Sequence, residues 1–264
     1  MSAQGPLTLN LSHHVCMTAQ EINERLAQAA YTRLDLSHQD LGRPESKINF
    51  VELMKELKLE NIQELDLSYN AIGFQRANIP ALHSLLIENP QITVVKLCGN
   101  RIFSLNTIML AKAFHGTAVR EVHLGEAPFP LSFGVTNFED EEGEGLVNFI
   151  ENLPGSVVQV VNVEHYKGEL NAHHAQKIAD AIAQPENPLK NIVFIKDQRE
   201  YENPNAFLAD AQALAFHVAK PVQRTLLNAF QQKNNPKRLR NEVVAISPKP
   251  EKKKRADLLK KLPR

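Results

Sequence analysis

The chain has 264 residues, of which 43% are apolar, and its formal net charge is zero. It is long enough for a substantial core in one continuous unit. Two cysteines are too few for a disulfide scaffold, no apolar run approaches a membrane-spanning helix, and the first residues lack the basic and apolar regions of a secretory signal. We therefore expect reduced thiols, no membrane span and a cytoplasmic location. Export by a route that needs no cleaved signal peptide is also compatible with the sequence.

The charges are unevenly distributed along the sequence. From Lys233 to Arg264 there are twelve basic and three acidic residues, a net of +9, whereas the preceding 232 residues have 18 basic and 27 acidic residues, a net of −9. This pattern predicts an acidic body followed by a basic tail.

An internal repeat of about 30 residues is the strongest pattern in the sequence. A half-repeat at Leu9 and Leu11 predicts an N-terminal cap, and Thr18 with Glu21 predicts a capping box for a helix through Ala30. Two later segments match the template L-x-x-L-x-L-x-x-N-x-L with aliphatic substitutions. The predicted strands are centred on Leu9, Leu34, Leu65, Val95, Val122, Val161 and Ile192.

Each repeat has two parts with different apolar spacing. Alternating residues such as Leu65 and Leu67 predict a short strand with one buried side, and Asn70 and Asn100 are expected to satisfy backbone groups where the chain leaves the strand. Helical spacing predicts return helices around Phe50–Leu57, Leu82–Leu86, Ile108–Phe114, Leu146–Leu153 and Ala175–Ile182.

This combination of a strand and a full helix resembles the ribonuclease-inhibitor-like class of leucine-rich repeats over about residues 7–197. The resemblance implies an α/β solenoid, or horseshoe, with parallel inner strands and outer helices, which binds protein partners on its concave side. The short, irregular array is also similar in style to leucine-rich-repeat effectors that intracellular bacteria such as Legionella inject into host cells.

The sequence predicts three regions and one insertion. We expect the solenoid with its N-terminal cap over residues 1–200, a C-terminal capping helix over 201–232 and a basic flexible tail over 233–264. A long interval between repeats contains an insertion, Pro128 to Gly145, with an acidic run. This insertion is either a solvated loop leading into a helix or an acidic contact patch.

The outward positions of the strands are the candidate partner-binding surface. In a strand, residues on either side of a buried central residue point to the opposite side of the sheet. Tyr69 follows a strand and combines a large area with a polar tip, which suits an interface anchor. The predicted partner-binding residues are Asp35, Glu64, Asp66, Tyr69, Lys96, Glu121 and His123.

Catalytic and metal-binding patterns are weak. The two adjacent histidine pairs, at positions 13–14 and 173–174, point to different faces, and there is no phosphate-binding glycine loop, CxxC or HExxH motif. Cys98 lies one repeat before His123, but no third group or oxyanion loop is visible. We therefore predict no enzyme activity, no cofactor and no metal.

The basic tail has three interpretations: a solvated or secretion-associated segment, a two-part nuclear import signal bound by an import receptor, or a contact with RNA or a ribosome. Its candidate polyanion or import-receptor contacts are Lys237, Arg238, Arg240, Lys252, Lys253, Lys254 and Arg255. The leading functional prediction is a monomeric, non-enzymatic protein-binding module, a secreted bacterial effector that modulates a host protein complex through its concave face. The alternative is a ribosome- or nucleic-acid-associated inhibitor anchored by the tail.

Overall fold

The computed structural model describes residues 6–13, 17–102, 104–125, 144–163, 170–194 and 220–234. Within these residues, one seven-stranded parallel sheet follows the chain order: β1 (Thr8–Asn10), β2 (Arg33–Asp35), β3 (Glu64–Asp66), β4 (Val94–Lys96), β5 (Glu121–His123), β6 (Val160–Asn162) and β7 (Asn191–Val193). The described helices are α1 (Ala19–Leu26), α2 (Phe50–Glu56), α3 (Asn78–Glu88), α4 (Ser104–Lys112), α5 (Glu144–Glu151), α6 (Ala172–Ala183) and α7 (Lys220–Asn234), with a short 3₁₀ helix at Ile72–Phe74.

The predicted fold class is confirmed in its architecture and in its register. The central residues of all seven strands align with one another as the repeat predicted. These residues, and the aliphatic residues two positions later in the repeats of β1 to β6, such as Leu67, are buried in a continuous core between the sheet and the helices. Burial of these aliphatic columns by the neighbouring repeats provides the main stabilisation of the array.

The template asparagines have the structural role that the repeat predicted. The Asn70 Oδ1 accepts a hydrogen bond from the Gln39 amide at 2.9 Å, and its Nδ2 donates to the Leu36 carbonyl at 2.8 Å. One repeat later, the Asn100 Oδ1 accepts from the Asn70 amide at 2.9 Å, and its Nδ2 donates to the Leu67 carbonyl at 2.9 Å. These buried amides link each turn to the next repeat.

The helices lie on the other side of the sheet from the outward strand residues, and their dimensions bend the array. Neighbouring helix axes need about 8–10 Å, whereas neighbouring strands are about 4.8 Å apart. Helix α2 packs against α3, and α5 packs against both α4 and α6. Because the helix layer takes more room for each repeat, the strand side is the concave side.

Helix α1 begins as predicted but ends early. The Thr18 amide donates to Glu21 Oε2 at 2.8 Å and the Glu21 amide donates to Thr18 Oγ1 at 3.3 Å, which completes the capping box. The helix ends at Leu26, however, and not at Ala30. The residues from 27 to 30 are exposed, so a further helical turn would bury no apolar surface and gain little stability.

The C-terminal part of the described chain is helix α7. It packs against α6 and buries Val222, Leu226 and Ala229. The helix continues to Asn234, two residues beyond the predicted end of the capping helix at residue 232, and the Lys233 Nζ donates a hydrogen bond to the Asn187 carbonyl.

Several predicted segments lie outside the described residues. They are the first half of the predicted capping helix, residues 201–219, the insertion up to residue 143 with its acidic run, and the tail from residue 235, which contains both basic clusters. The domain boundaries stay predictions for this reason. None of the described helices is long and apolar enough to span a membrane.

Candidate protein-binding face

The outward face of strands β2 to β5 contains six of the seven predicted partner-binding residues. They occupy the first and third positions of their strands, on either side of a buried central residue: Asp35, Glu64, Asp66, Lys96, Glu121 and His123. The register places Asp66 between Asp35 and Lys96, and Lys96 beside His123. Tyr69 follows β3 by three residues and is half-buried. We call these seven residues the strand face.

Glu64 connects three neighbouring strands through two ion pairs. Its Oε2 lies 2.9 Å from the Arg33 Nε, and its Oε1 lies 2.5 Å from the Lys96 Nζ. Burial lowers the pKa of Lys96, but the hydrogen bond and charge of Glu64 and the charge of Asp66 outweigh burial, so the pKa is raised. Lys96 therefore stays protonated at neutral pH and is held in place by Glu64.

Asp35 and Asp66 form the uncompensated acidic part of the strand face. Each carboxylate accepts a hydrogen bond from a backbone amide two residues later, from Ser37 and Ser68, at 2.9 Å in both cases. Among the described residues, no basic side chain forms an ion pair with either carboxylate. Burial raises the pKa of Asp66, and the neighbouring charge of Asp35 adds to that effect, while the Ser68 hydrogen bonds and the charge of Lys96 oppose it.

The Asp66→Asn variant is expected to be more stable than the unchanged protein at neutral pH, by about 1 kcal/mol or less. A folded-state pKa above the unfolded value means that the stability contributed by Asp66 is present at low pH and is lost as the pH rises through the folded pKa. Asparagine keeps an acceptor for the Ser68 amide and carries no charge. Urea unfolding at several pH values measures the effect.

The same measurement supplies the control for Asp66. Below about pH 3 the aspartate is protonated, so the two proteins should have the same free energy of unfolding. A variant that is less stable than the unchanged protein at neutral pH would contradict the expected cost of the buried charge.

A column of stacked rings borders the strand face on the side where the strands end. The His13 and His38 rings stack at 4.4 Å between centroids, and the His38 and Tyr69 rings stack at 4.3 Å with planes 8° apart. The next position along this column is Gly99, on whose backbone the Tyr69 ring lies. All four residues have a positive φ, between 58° and 64°, in the left-handed region.

The sequence reasoning missed His13 and His38 as members of this surface. The signal that could have found them is their position, because each lies four residues after the central residue of its strand, as Tyr69 does. Burial lowers the pKa of His38, as does His13, while Asp35 and Asp66 oppose this effect. The His38 ring is therefore neutral at neutral pH, and the stack of rings carries no repulsion between charges there.

Cys98 and His123 come from neighbouring repeats. The strand register pairs His123 with Lys96, so Cys98 lies two residues further along its chain. The His123 Nε2 is 2.8 Å from the Glu121 carboxylate. Cys98 is half-buried and forms no disulfide. In the described part of the chain, no group of three histidine, cysteine or acidic residues is placed to hold a metal ion.

Comparison with known proteins finds solved structures that are similar to this chain. No protein-family model matches the sequence, and no curated protein matches it. Among solved structures, the leucine-rich repeat-containing protein LegL7 from Legionella pneumophila is similar, with a TM-score of 0.50 and 16% identity over 83% of this chain and 60% of that protein. The present chain thus spans 60% of the length of that protein.

Two further structures are similar at lower TM-scores. Actin-binding site 2 of leiomodin-1 has a TM-score of 0.43 and 13% identity, over 73% of this chain and all of that one. The tropomodulin C-terminal domain of Caenorhabditis elegans has a TM-score of 0.43 and 11% identity, over 72% of this chain and 95% of that one. The parallel sheet, the linked asparagines and the similarity to LegL7 together show that this chain has the leucine-rich-repeat fold.

Proposed function

We propose that this chain is a non-catalytic protein-binding module whose partner contacts the strand face. The observation that carries the proposal is the fixed arrangement of charged and ring-bearing side chains on neighbouring strands. The ion pairs of Glu64 and the stack of His13, His38 and Tyr69 hold these groups before a partner arrives. The module therefore loses little side-chain entropy when a partner binds.

The chemistry of the strand face favours a basic partner surface. Arg33 and Lys96 both pair with Glu64, and with Asp35 and Asp66 these five side chains of β2 to β4 carry a net charge of −1. Like charges at directly opposed strand positions are unfavourable, so a basic group of the partner would relieve this repulsion. Tyr69 supplies a half-buried aromatic anchor at the border of the same surface.

We further propose that the module is a bacterial effector that acts as a monomer in the cytoplasm of a host cell and modulates a host protein complex. The short, irregular repeat array is similar to the leucine-rich-repeat effectors of intracellular bacteria, and this similarity supports the proposal. The alternative is a ribosome- or nucleic-acid-associated inhibitor, and the net charge of +9 from Lys233 onward favours it. The two proposals place the affinity in different parts of the chain.

Charge reversal on the strand face is expected to weaken partner capture strongly under the first proposal. The double variant Asp35→Lys, Asp66→Lys should reduce capture of a partner from host-cell lysate by about tenfold or more, because it removes the complementary charge and introduces repulsion. Quantitative mass spectrometry of the captured proteins, at fixed salt concentration, provides the measurement. The matched control is Asp180→Lys on the exposed side of α6, which should leave capture unchanged.

A full-length tail variant separates the two proposals. It carries glutamine at Lys237, Arg238, Arg240, Lys252, Lys253, Lys254 and Arg255. Under the first proposal, the tail variant captures the same partner as the unchanged protein. Under the alternative, the tail variant loses binding, and the double variant Asp35→Lys, Asp66→Lys retains binding. Circular dichroism and thermal unfolding establish that each variant is folded.

A further inference from the structure

Phe74 is an exposed aromatic side chain that lies outside the strand face. It ends the 3₁₀ helix between β3 and α3, and 41% of its surface is exposed. The Arg101 guanidinium carbon is 5.1 Å from the ring centroid, and that of Arg43 is 5.8 Å away. These arginines come from the following and the preceding repeat. We call Phe74, Arg43 and Arg101 the Phe74 patch.

The turn that presents Phe74 is held tightly by its neighbours. A Cβ atom on Gly73 would lie 2.0 Å from the Arg101 carbonyl oxygen, so the two backbones are in direct contact. The Asn106 Nδ2 donates to the Gly73 carbonyl at 3.0 Å, and the Asn78 Nδ2 donates to the Ile72 carbonyl at 3.1 Å. Phe74 is therefore presented on a fixed backbone, and little backbone entropy would be lost when a partner covers it.

The charge of the Phe74 patch differs from that of the acidic body. Arg43 is engaged by Asp40, with 2.7 Å between Nε and Oδ1, and lies 3.7 Å from Glu45. Arg101 forms no ion pair with any of the described residues, and its guanidinium lies over the Phe74 ring. The patch thus combines an exposed apolar surface with a guanidinium that forms no ion pair with the described carboxylates.

We propose that the Phe74 patch is a second docking surface, which takes an acidic segment with apolar side chains from a partner protein. The apolar side chains of that segment pack on the exposed part of the Phe74 ring, and a carboxylate pairs with Arg101. Asp35 and Asp66 repel an acidic segment from the strand face, whereas Arg101 attracts it at the Phe74 patch.

The ring environment favours a protein segment over a nucleic acid. Binding of single-stranded nucleic acid uses aromatic faces on which bases stack. Here guanidinium groups from two repeats lie against the Phe74 ring, so the exposed part of the ring suits aliphatic packing.

The test uses the full-length protein and three labelled peptides of equal length and equal leucine content. The three peptides carry glutamate, glutamine or lysine at the same positions. Fluorescence polarisation measures the affinity of each peptide for the protein. The glutamate peptide should bind most tightly, and Phe74→Ala and Arg101→Glu should each weaken it by about tenfold or more. The control Ile87→Ala removes another exposed apolar side chain, outside the patch, and should have no effect.

Three results would overturn the proposal. They are equal or tighter binding of the lysine peptide, glutamate-peptide binding that persists in Phe74→Ala, and binding of a labelled single-stranded RNA that is lost in the same two variants. The strand-face variant Asp35→Lys, Asp66→Lys should retain the glutamate peptide. The strand-face variant therefore tests the second docking surface independently, even if the proposal for the strand face fails.

Discussion

Replacing Asn70 by alanine is expected to lower the free energy of unfolding by about 3 kcal/mol or more. The side chain is fully buried. Its Oδ1 accepts from the Gln39 amide, and its Nδ2 donates to the Leu36 carbonyl and, at 3.1 Å, to the Leu67 carbonyl. Alanine leaves these backbone groups buried without partners, and each such group costs about 1–3 kcal/mol.

Urea unfolding followed by circular dichroism measures the loss. The matched control is Asn10→Ala, because Asn10 is exposed and, among the described residues, its side chain bonds with Ser12 in its own turn. The control should change stability by about 0.5 kcal/mol or less. Equal losses in the two variants would mean that the link between repeats contributes nothing beyond a local turn.

Replacing Gly99 by alanine is expected to lower the free energy of unfolding by about 2–4 kcal/mol. Gly99 has a φ of 64°, where a residue with a Cβ costs about 1–2 kcal/mol. A Cβ there would also lie 2.3 Å from Cε1 and 2.4 Å from Cδ1 of the Tyr69 ring. The ring would have to move, which would break its stack with His38.

A control and a rescue separate backbone strain from this clash. Gly116 has a φ of 72°, but a Cβ there would have only the Ile87 Cδ1 nearby, at 3.4 Å, so Gly116→Ala should cost about 1–2 kcal/mol. In a Tyr69→Ala background, the cost of Gly99→Ala should fall to that of Gly116→Ala. An unchanged cost in both backgrounds would show that the Tyr69 ring does not press on Gly99.

The strand-face residues could be predicted because alternation and the repeat period act together. Alternation assigns Glu64 and Asp66 to the side opposite Leu65, and the period places Asp35 beside Asp66 and Lys96 beside His123. The ion pairs could not be predicted in the same way. Which carboxylate Lys96 contacts depends on side-chain reach across strands, and Lys96 contacts Glu64 although Asp66 is its direct neighbour in register.

The stacked rings and the Phe74 patch also required the folded chain. The stack forms because left-handed turns place His13, His38 and Tyr69 at the same position of successive repeats. The alternating pattern of each strand ends before its turn, so alternation does not predict these positions. Phe74 meets Arg101 although the two residues occupy different positions in their repeats. No local pattern aligns them, since their contact follows from the paths of two neighbouring turns.

The sequence by itself determined the parallel strands, their register and the linked asparagines, because each depends on a backbone geometry that every repeat copies. Only the tertiary structure decided where α1 ends, how burial raises the pKa of Asp66, and which side chains meet between repeats. These properties depend on the surroundings of a side chain, and those surroundings are assembled from residues about 30 positions apart in the chain.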